Sequence, residues 1–245
     1  MKLKRIAVQS LAICFIVVLI PIGTQVLQIV RLTGKVSYNN LPFEQNHPQA
    51  KLRILFLGDS TAHGTGAIDN RKSVAGWFGQ DFPQAHIINI SQNGKRLIDL
   101  VNDFDPSKLE HYRLIVIQIG GNDIMKLTPL DKVEKEIAIV IDRAKMTGDH
   151  VVILHSGNVG LSPIFTWPFD WVMSERSRAV RTIYIRQAKE KGVFYVDLFA
   201  ERKNDLFLKD VDRYYSPDLL HPSGQGYRWW YERIRATLVK NKVIL

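Results

Sequence analysis

The chain has 245 residues and is 46% hydrophobic, which suits one substantial core rather than two. Its single cysteine, Cys14, excludes an internal disulfide and a cysteine-based zinc site, and the seven histidines are scattered without metal-binding spacing. The net charge of +9 comes from dispersed Lys and Arg, without the basic stripes and interleaved aromatics of nucleic-acid-binding proteins. We therefore expect no metal, no cofactor and no nucleic-acid partner.

The N-terminal segment predicts a membrane anchor. A short basic end, residues 1–5, precedes residues 6–30, which contain no charged side chain. About 20 apolar residues suffice to cross the hydrocarbon core of a bilayer. Because small residues are missing at the −3 and −1 positions of the available cleavage sites, an uncleaved anchor is favoured over a cleaved signal peptide.

The charges around this segment predict its orientation. Lys2, Lys4 and Arg5 stand before it and Arg31 and Lys35 after it, which favours a cytoplasmic N-terminus. The rest of the chain would then lie outside the cytoplasmic membrane as a single-pass membrane protein. A cleaved segment would instead give a secreted protein.

After a polar tether at residues 31–50, the pattern alternates between two kinds of segment. Short β-branched runs predict strands at 53–57, 86–90, 114–119, 151–155 and 193–198. Apolar residues at helical spacing predict helices between and after these strands, at 73–81, 95–103, 129–146, 171–191 and 224–240. Such alternation predicts right-handed βαβ units and a parallel sheet covered on both faces. Residues 51–245 should therefore form one doubly wound α/β domain.

Ligands of open parallel sheets bind beyond the carboxyl ends of the strands, so the residues that follow each strand are the candidates. Ser60 follows the first strand in "GDST". A serine there is a candidate nucleophile, although it could equally be the N-cap of the next helix. Asp59 beside it is expected to be a local hydrogen-bonding partner.

The segment "SPDLLHP" supplies a candidate base and acid. Asp218 and His221 are three residues apart, so on a single turn the carboxylate could orient the imidazole. The alternative is that Asp218 caps the last helix and His221 is an ordinary surface histidine. Taken alone, that structural interpretation is the stronger one.

Two further strand ends offer hydrogen-bond donors. Asn122 lies in "GGND" after the third strand, and Gly94 lies in "QNGK" after the second. Both are typical of turns, because Asn and Gly tolerate positive φ. A side-chain amide and an unobstructed backbone N–H could instead stabilise an oxyanion.

The ordered set Ser60, Gly94, Asn122 and His221, each after its own strand, resembles the GDSL or SGNH hydrolase family over roughly residues 53–240. The resemblance implies a flavodoxin-like three-layer α/β/α sandwich with a parallel five-stranded sheet, preceded here by one transmembrane helix.

By the same resemblance, Ser60 would be the nucleophile, His221 the base and Asp218 its orienting acid. Ser60, Gly94 and Asn122 would form the oxyanion hole. The cations after "NG", Lys95 and Arg96, depart from the small residues more usual in the family.

The function expected from this set is hydrolysis of a lipid or cell-surface glycan ester. An O-acyltransferase to a sugar hydroxyl would use the same residues, because only the acceptor differs. A membrane-tethered, non-catalytic glycan-binding module is the third possibility. A phosphate loop is excluded by the missing Gly-Lys pair after Gly58, and the α/β-hydrolase elbow by the position of the serine after the first strand.

An aromatic segment follows the fourth strand, at residues 162–173. Its Trp167 and Trp171, together with His155 at the strand end, are candidate substrate contacts. The tryptophans could line an acyl pocket, stack on a sugar ring, rest on a membrane surface or pack within their own loop. For His155, burial in the core is the simpler interpretation.

Overall fold

The structure, a computed structural model, describes residues 41–243 and, before them, positions 20, 22–25, 27, 28 and 31. Among these residues, no helix combines the length and apolar character needed to cross a membrane. Most of the predicted anchor at 6–30, the basic end at 1–5 and positions 32–40 of the predicted tether lie outside the described residues. The anchor therefore stays a prediction.

A parallel sheet forms the centre of the molecule. Its five strands in chain order are β1 (Arg53–Gly58), β2 (His86–Asn89), β3 (Tyr112–Gln118), β4 (Gly148–Leu154) and β5 (Phe194–Tyr195). The spatial order is β2-β1-β3-β4-β5, with every pairing parallel. Gly58 is in register with Gln118, and Gln118 with Leu154, so the carboxyl ends of the three central strands meet at one edge.

Helices cover both faces of the sheet. In chain order they are α1 (Ser60–His63), α2 (Val74–Asp81), α3 (Leu97–Asp103), α4 (Gly121–Met125), α5 (Leu130–Thr147), α6 (Phe169–Lys191), α7 (Leu206–Lys209), α8 (Val211–Tyr214) and α9 (Gly224–Lys240). Single 3-10 turns occupy Asn70–Lys72, Pro106–Lys108, Val159–Leu161 and Arg202–Asn204.

The alternation of side chains along β1 divides the core into two layers. Leu55 and Leu57 belong to the cluster under α3, α5 and α6, whereas Ile54 and Phe56 belong to the cluster under α2 and α9. All four side chains are fully buried, as expected for a parallel strand covered on both faces. The predicted three-layer α/β/α arrangement and its five long helices are thereby confirmed.

The tether prediction differs from the structure where residues 41–50 are described. Gln45 forms an isolated antiparallel bridge with Ile87 on the edge strand β2, and its side-chain amide donates to the carbonyl oxygens of Phe82 and Ala85. Phe43 packs against the core. The backbone N–H and C=O of Gln45 satisfy part of the exposed edge of the sheet, which a polar, non-periodic sequence does not reveal.

Candidate active site

Ser60 begins α1 directly after β1. Gly58 makes this abrupt change of direction possible, because it adopts φ +148° and a Cβ there would lie 1.8 Å from the carbonyl oxygen of Gln118. Only glycine fits both constraints. The serine is therefore presented, half-buried, at the carboxyl edge of the sheet.

Asp59, and not Ser60, caps α1. Its Oδ1 accepts hydrogen bonds from the backbone N–H of Thr61 at 2.9 Å and from the Thr61 hydroxyl at 2.7 Å. The expected local role of Asp59 is confirmed, and the alternative in which Ser60 serves as the cap is wrong. Burial raises the pKa of Asp59 to about 6, although the bonds from Thr61 oppose that shift.

His221 joins Ser60 to Asp218. Its Nε2 lies 2.9 Å from the Oγ of Ser60, and its Nδ1 lies 2.6 Å from the Oδ2 of Asp218. Two residues that are 161 positions apart in the chain are thus hydrogen-bonded at the carboxyl edge of the sheet. When a hydroxyl, an imidazole and a buried carboxylate are hydrogen-bonded in this order, the imidazole can accept the serine proton. The carboxylate then stabilises the imidazolium cation.

The carboxylate of Asp218 is fully buried and completely hydrogen-bonded. Its Oδ1 accepts from the Ser216 hydroxyl at 2.6 Å and from the backbone N–H groups of Leu220 at 3.0 Å and His221 at 2.9 Å. Burial alone would raise the pKa of Asp218, but the bonds from His221 and Ser216 and the attraction of His221 outweigh it and lower this pKa to about 2. Asp218 is therefore ionised throughout the ordinary pH range.

Ser216 was not among the residues predicted for the site. The spacing of Ser216 and Asp218 could have indicated this role. A serine two residues before an aspartate can donate its hydroxyl to that carboxylate in a turn.

The segment around Asp218 is a turn, and not the single helical turn that the spacing suggested. Leu219 adopts φ +60°, and an antiparallel bridge between Tyr215 and Pro222 closes the turn. Ser223 caps α9, which makes the helix-capping alternative for Asp218 wrong. The close approach of acid and base therefore comes from a closed loop with one left-handed residue.

Asn122 contacts the segment that follows Gly94 and lines the same cavity as Ser60. The Nδ2 of Asn122 donates to the carbonyl oxygen of Lys95 at 3.0 Å, which leaves its second hydrogen for another acceptor. Gly94 is exposed in a turn with φ +79°, and a Cβ there would meet no described atom within 4 Å. Backbone conformation, and not crowding, is therefore what favours glycine at this position.

A cavity of about 480 Å³ lies next to the serine and histidine. Ser60, Asn122 and His221 are among the residues that line it. The segment after β5 forms another part of the wall, through side chains from Leu198 to Phe207, and α9 contributes Trp229 and Trp230. This lining mixes aromatic, aliphatic and polar groups. Sequence patterns missed the contribution of residues 198–207 because that segment contains only short helical turns.

None of the three candidate substrate contacts is among the described residues that line the cavity. His155 is 1% exposed, and its ring packs edge-on against Tyr184 while its Nε2 meets the Tyr195 hydroxyl at 3.1 Å. Burial lowers the pKa of His155 to about 4, which favours the structural interpretation of this residue. Trp167 and Trp171 are exposed, and neither is part of the cavity lining as far as the described residues define it. Their contact with substrate stays a prediction.

Within the described part of the chain, no group of three or more His, Cys, Asp or Glu side chains is arranged to hold a metal ion.

The comparison with protein families gives one match. The model of the GDSL-like lipase/acylhydrolase family matches residues 56–229, which include Ser60, Gly94, Asn122, Asp218 and His221. None of the curated proteins matches the sequence.

Solved structures with the same fold include three bacterial proteins. A phospholipase A1 from Streptomyces albidoflavus has a TM-score of 0.62 and 16% identity, covering 77% of this chain and 100% of its own. A lipolytic protein of the G-D-S-L family from Veillonella parvula has a TM-score of 0.58 and 18% identity, covering 77% and 99%. An acetylxylan esterase from Geobacillus stearothermophilus has a TM-score of 0.53 and 18% identity, covering 79% and 96%. At these identities the similarity shows the fold alone.

Proposed function

The chain belongs to the GDSL-like lipase/acylhydrolase family and is an ester hydrolase, and on that premise we propose that Ser60, His221 and Asp218 carry out the hydrolysis. The observation that supports this assignment most directly is the pair of hydrogen bonds made by His221, 2.9 Å to Ser60 and 2.6 Å to Asp218.

In the proposed first step, the Oγ of Ser60 attacks the ester carbonyl and its proton passes to Nε2 of His221. Asp218 holds the proton of Nδ1, so that Nε2 is the acceptor, and stabilises the imidazolium once it forms. The tetrahedral intermediate collapses when the alcohol leaves with the proton from His221. A water molecule then releases the acyl group by the same route in reverse.

The proposed oxyanion hole consists of the backbone N–H groups of Ser60 and Gly94 and the free hydrogen of the Asn122 amide. Lys95 supports this role of Asn122, because its carbonyl oxygen holds the amide in a fixed orientation. Preorganised donors of this kind stabilise the charge that develops in the transition state.

The proposed substrate is an ester of a lipid or a cell-surface glycan. The mixed lining of the cavity suits either class, and relatives with the same fold bear the names phospholipase A1 and acetylxylan esterase. Nitrophenyl esters with acyl chains of two to sixteen carbons distinguish them. A preference for short chains favours glycan deacetylation, and a preference for long chains favours lipid.

We also propose that residues 6–30 anchor the protein in the cytoplasmic membrane, with the N-terminus inside and the catalytic domain outside. The uncharged length of this segment and its flanking cations support that location.

The hydrolysis of nitrophenyl acetate by Ser60→Ala tests the proposed nucleophile. We expect kcat to fall about 10⁴-fold or more, because the remaining site can only bind and polarise the ester. Ser156→Ala is the matched control, since Ser156 lines the same cavity and has no assigned role. Retained hydrolysis by the Ser60→Ala variant would contradict the proposal.

A further inference from the structure

The connection between β4 and α6 exposes two large aromatic side chains. Trp167 is 71% exposed, and Trp171, four residues later in the first turn of α6, is 63% exposed. Phe165 in the same connection packs against the core instead. Exposed tryptophans grouped in this way are typical of a surface that meets another apolar phase or partner.

The described N-terminal residues dock on this connection through one buried side chain. Gln25 is 3% exposed, and its Nε2 donates to the carbonyl oxygen of Ile164 at 2.8 Å. Its Oε1 accepts from the backbone N–H of Thr166 at 3.0 Å and from the Thr166 hydroxyl at 3.2 Å. Three hydrogen bonds thus join the uncharged N-terminal run to Ile164 and Thr166, just before Trp167.

Among the described N-terminal helical residues, large apolar side chains are exposed together with Thr24, and the one buried side chain is the polar Gln25. Ile20 is 58% exposed and Leu27 is 70% exposed, and because they are seven residues apart they lie on the same helical face. Gln25 lies about 140° round the helix from Ile20 and faces the protein. Helices in water bury their apolar face, whereas helices in lipid turn polar side chains towards protein.

We propose that Ile20, Leu27, Trp167 and Trp171 form a lipid-contacting face that rests on a bilayer. The apolar side chains of the N-terminal segment would meet the hydrocarbon, and the two tryptophans would lie at the interface, where the indole ring meets both apolar and polar surroundings. A bilayer is the partner that fits this face, because Ile20 and Leu27 belong to the uncharged run from Ile6 to Val30. That run is long enough to enter a bilayer.

This face is connected to the cavity. The backbone N–H of Ile164 donates to the carbonyl oxygen of Leu219 at 3.2 Å, in the turn that holds Asp218 and His221. Ser162 of the same connection lines the cavity. The lipid-contacting face therefore places one wall of the cavity next to the bilayer surface.

Tryptophan quenching by brominated lipid tests the proposal. The full chain is inserted in vesicles of phosphatidylcholine and phosphatidylglycerol, with and without brominated acyl chains, which quench indole fluorescence at short range. We expect strong quenching of the wild-type protein and loss of most of it in Trp167→Phe/Trp171→Phe. Trp77→Phe is the matched control and should retain the quenching, because Trp77 is half-buried against the other face of the sheet.

Equal quenching of the double variant and the wild-type protein would overturn the proposal. So would unquenched tryptophans in a vesicle-bound protein that cross-links as a dimer, because a second copy would then cover this face.

Two more variants sharpen the test. Gln25→Leu keeps the size of the side chain and removes its hydrogen bonds, so the quenching should fall while the chain stays in the vesicles. Unchanged quenching would contradict the docking role of Gln25. Ser60→Ala should abolish ester hydrolysis and keep the quenching, so that failure of this proposal and failure of the catalytic assignment give different results.

Discussion

The turn at residues 215–222 and the connection at residues 162–171 lie side by side, but they are built in opposite ways. The turn buries Asp218 completely and gives its carboxylate four hydrogen bonds. The connection exposes Trp167 and Trp171 and is fastened to the N-terminal residues by one glutamine. A fixed geometry suits a proton-transfer site, whereas exposed apolar side chains suit contact with another surface.

Within these two regions, the largest effect is expected from Asp218→Asn in the turn. The three donors at Oδ1 fix the carbonyl oxygen of the new amide there, so its NH2 group faces Nδ1 of His221. That arrangement leaves the imidazole proton on Nε2, which then cannot accept a proton from Ser60. We expect kcat for nitrophenyl acetate to fall about 10⁴-fold, as the wrong tautomer does in other serine hydrolases.

Circular dichroism that matches the wild-type spectrum serves as the control for folding of the Asp218→Asn variant. A fall of less than tenfold would mean that Asp218 does not orient the base.

The second effect concerns the proposed oxyanion hole. Asn122→Ala removes a donor and leaves the carbonyl oxygen of Lys95 without that hydrogen bond. We expect kcat to fall roughly 10²–10³-fold with a small change in KM, because the lost interaction is made in the transition state. Steady-state kinetics measure this split. A rise in KM alone would assign Asn122 to substrate binding instead.

The third effect is on stability and depends on pH. The pKa of Asp59 is raised from 3.8 to about 6, and each unit corresponds to about 1.4 kcal/mol. The carboxyl group of Asp59 therefore binds its proton more tightly in the folded state than in the unfolded state. As pH rises from about 3 to about 7, the wild-type protein should lose about 3 kcal/mol of unfolding free energy through this group.

Asp59→Asn keeps a capping oxygen and removes the titration. In urea unfolding, the stability of the Asp59→Asn variant relative to wild type should rise by about 2 kcal/mol between pH 4 and pH 7, which is most of the roughly 3 kcal/mol of the whole titration. A difference that does not change with pH would contradict the raised pKa.

The smallest effect is expected in the exposed connection. Trp167→Ala should change the free energy of unfolding by less than about 0.5 kcal/mol, because the indole is mostly in solvent. Phe165→Ala is the internal comparison and should cost more, since Phe165 packs against the core. Equal losses in urea unfolding would mean that Trp167 is part of the packed loop.

The sequence predicted the sheet and the long helices well because their signals are local. Near-continuous apolar runs mark β1, β3 and β4, and helical spacing marks α5 and α9. The order of strand-end residues also predicted that Ser60, Asn122 and His221 would lie together, since parallel strands end at one edge.

Features that depend on tertiary contacts could not be predicted in this way. The positive φ of Leu219 follows from closure of the turn between Tyr215 and Pro222. The docking of Gln45 on β2 and of Gln25 on residues 164–166 depends on backbone groups that are distant in sequence. For His155, a strand-end position suggested the site, but its ring turns into the core beside Tyr184.

Covalent labelling with a fluorophosphonate tests the central claim most directly. An activated serine attacks the phosphorus and fluoride leaves, so a stable phosphonyl group marks the nucleophile. Peptide mass spectrometry of the labelled chain should find one phosphonyl group per chain, on Ser60, with loss of nitrophenyl acetate hydrolysis in proportion to labelling. A label on another serine, or full hydrolysis by a chain labelled at Ser60, would contradict the account.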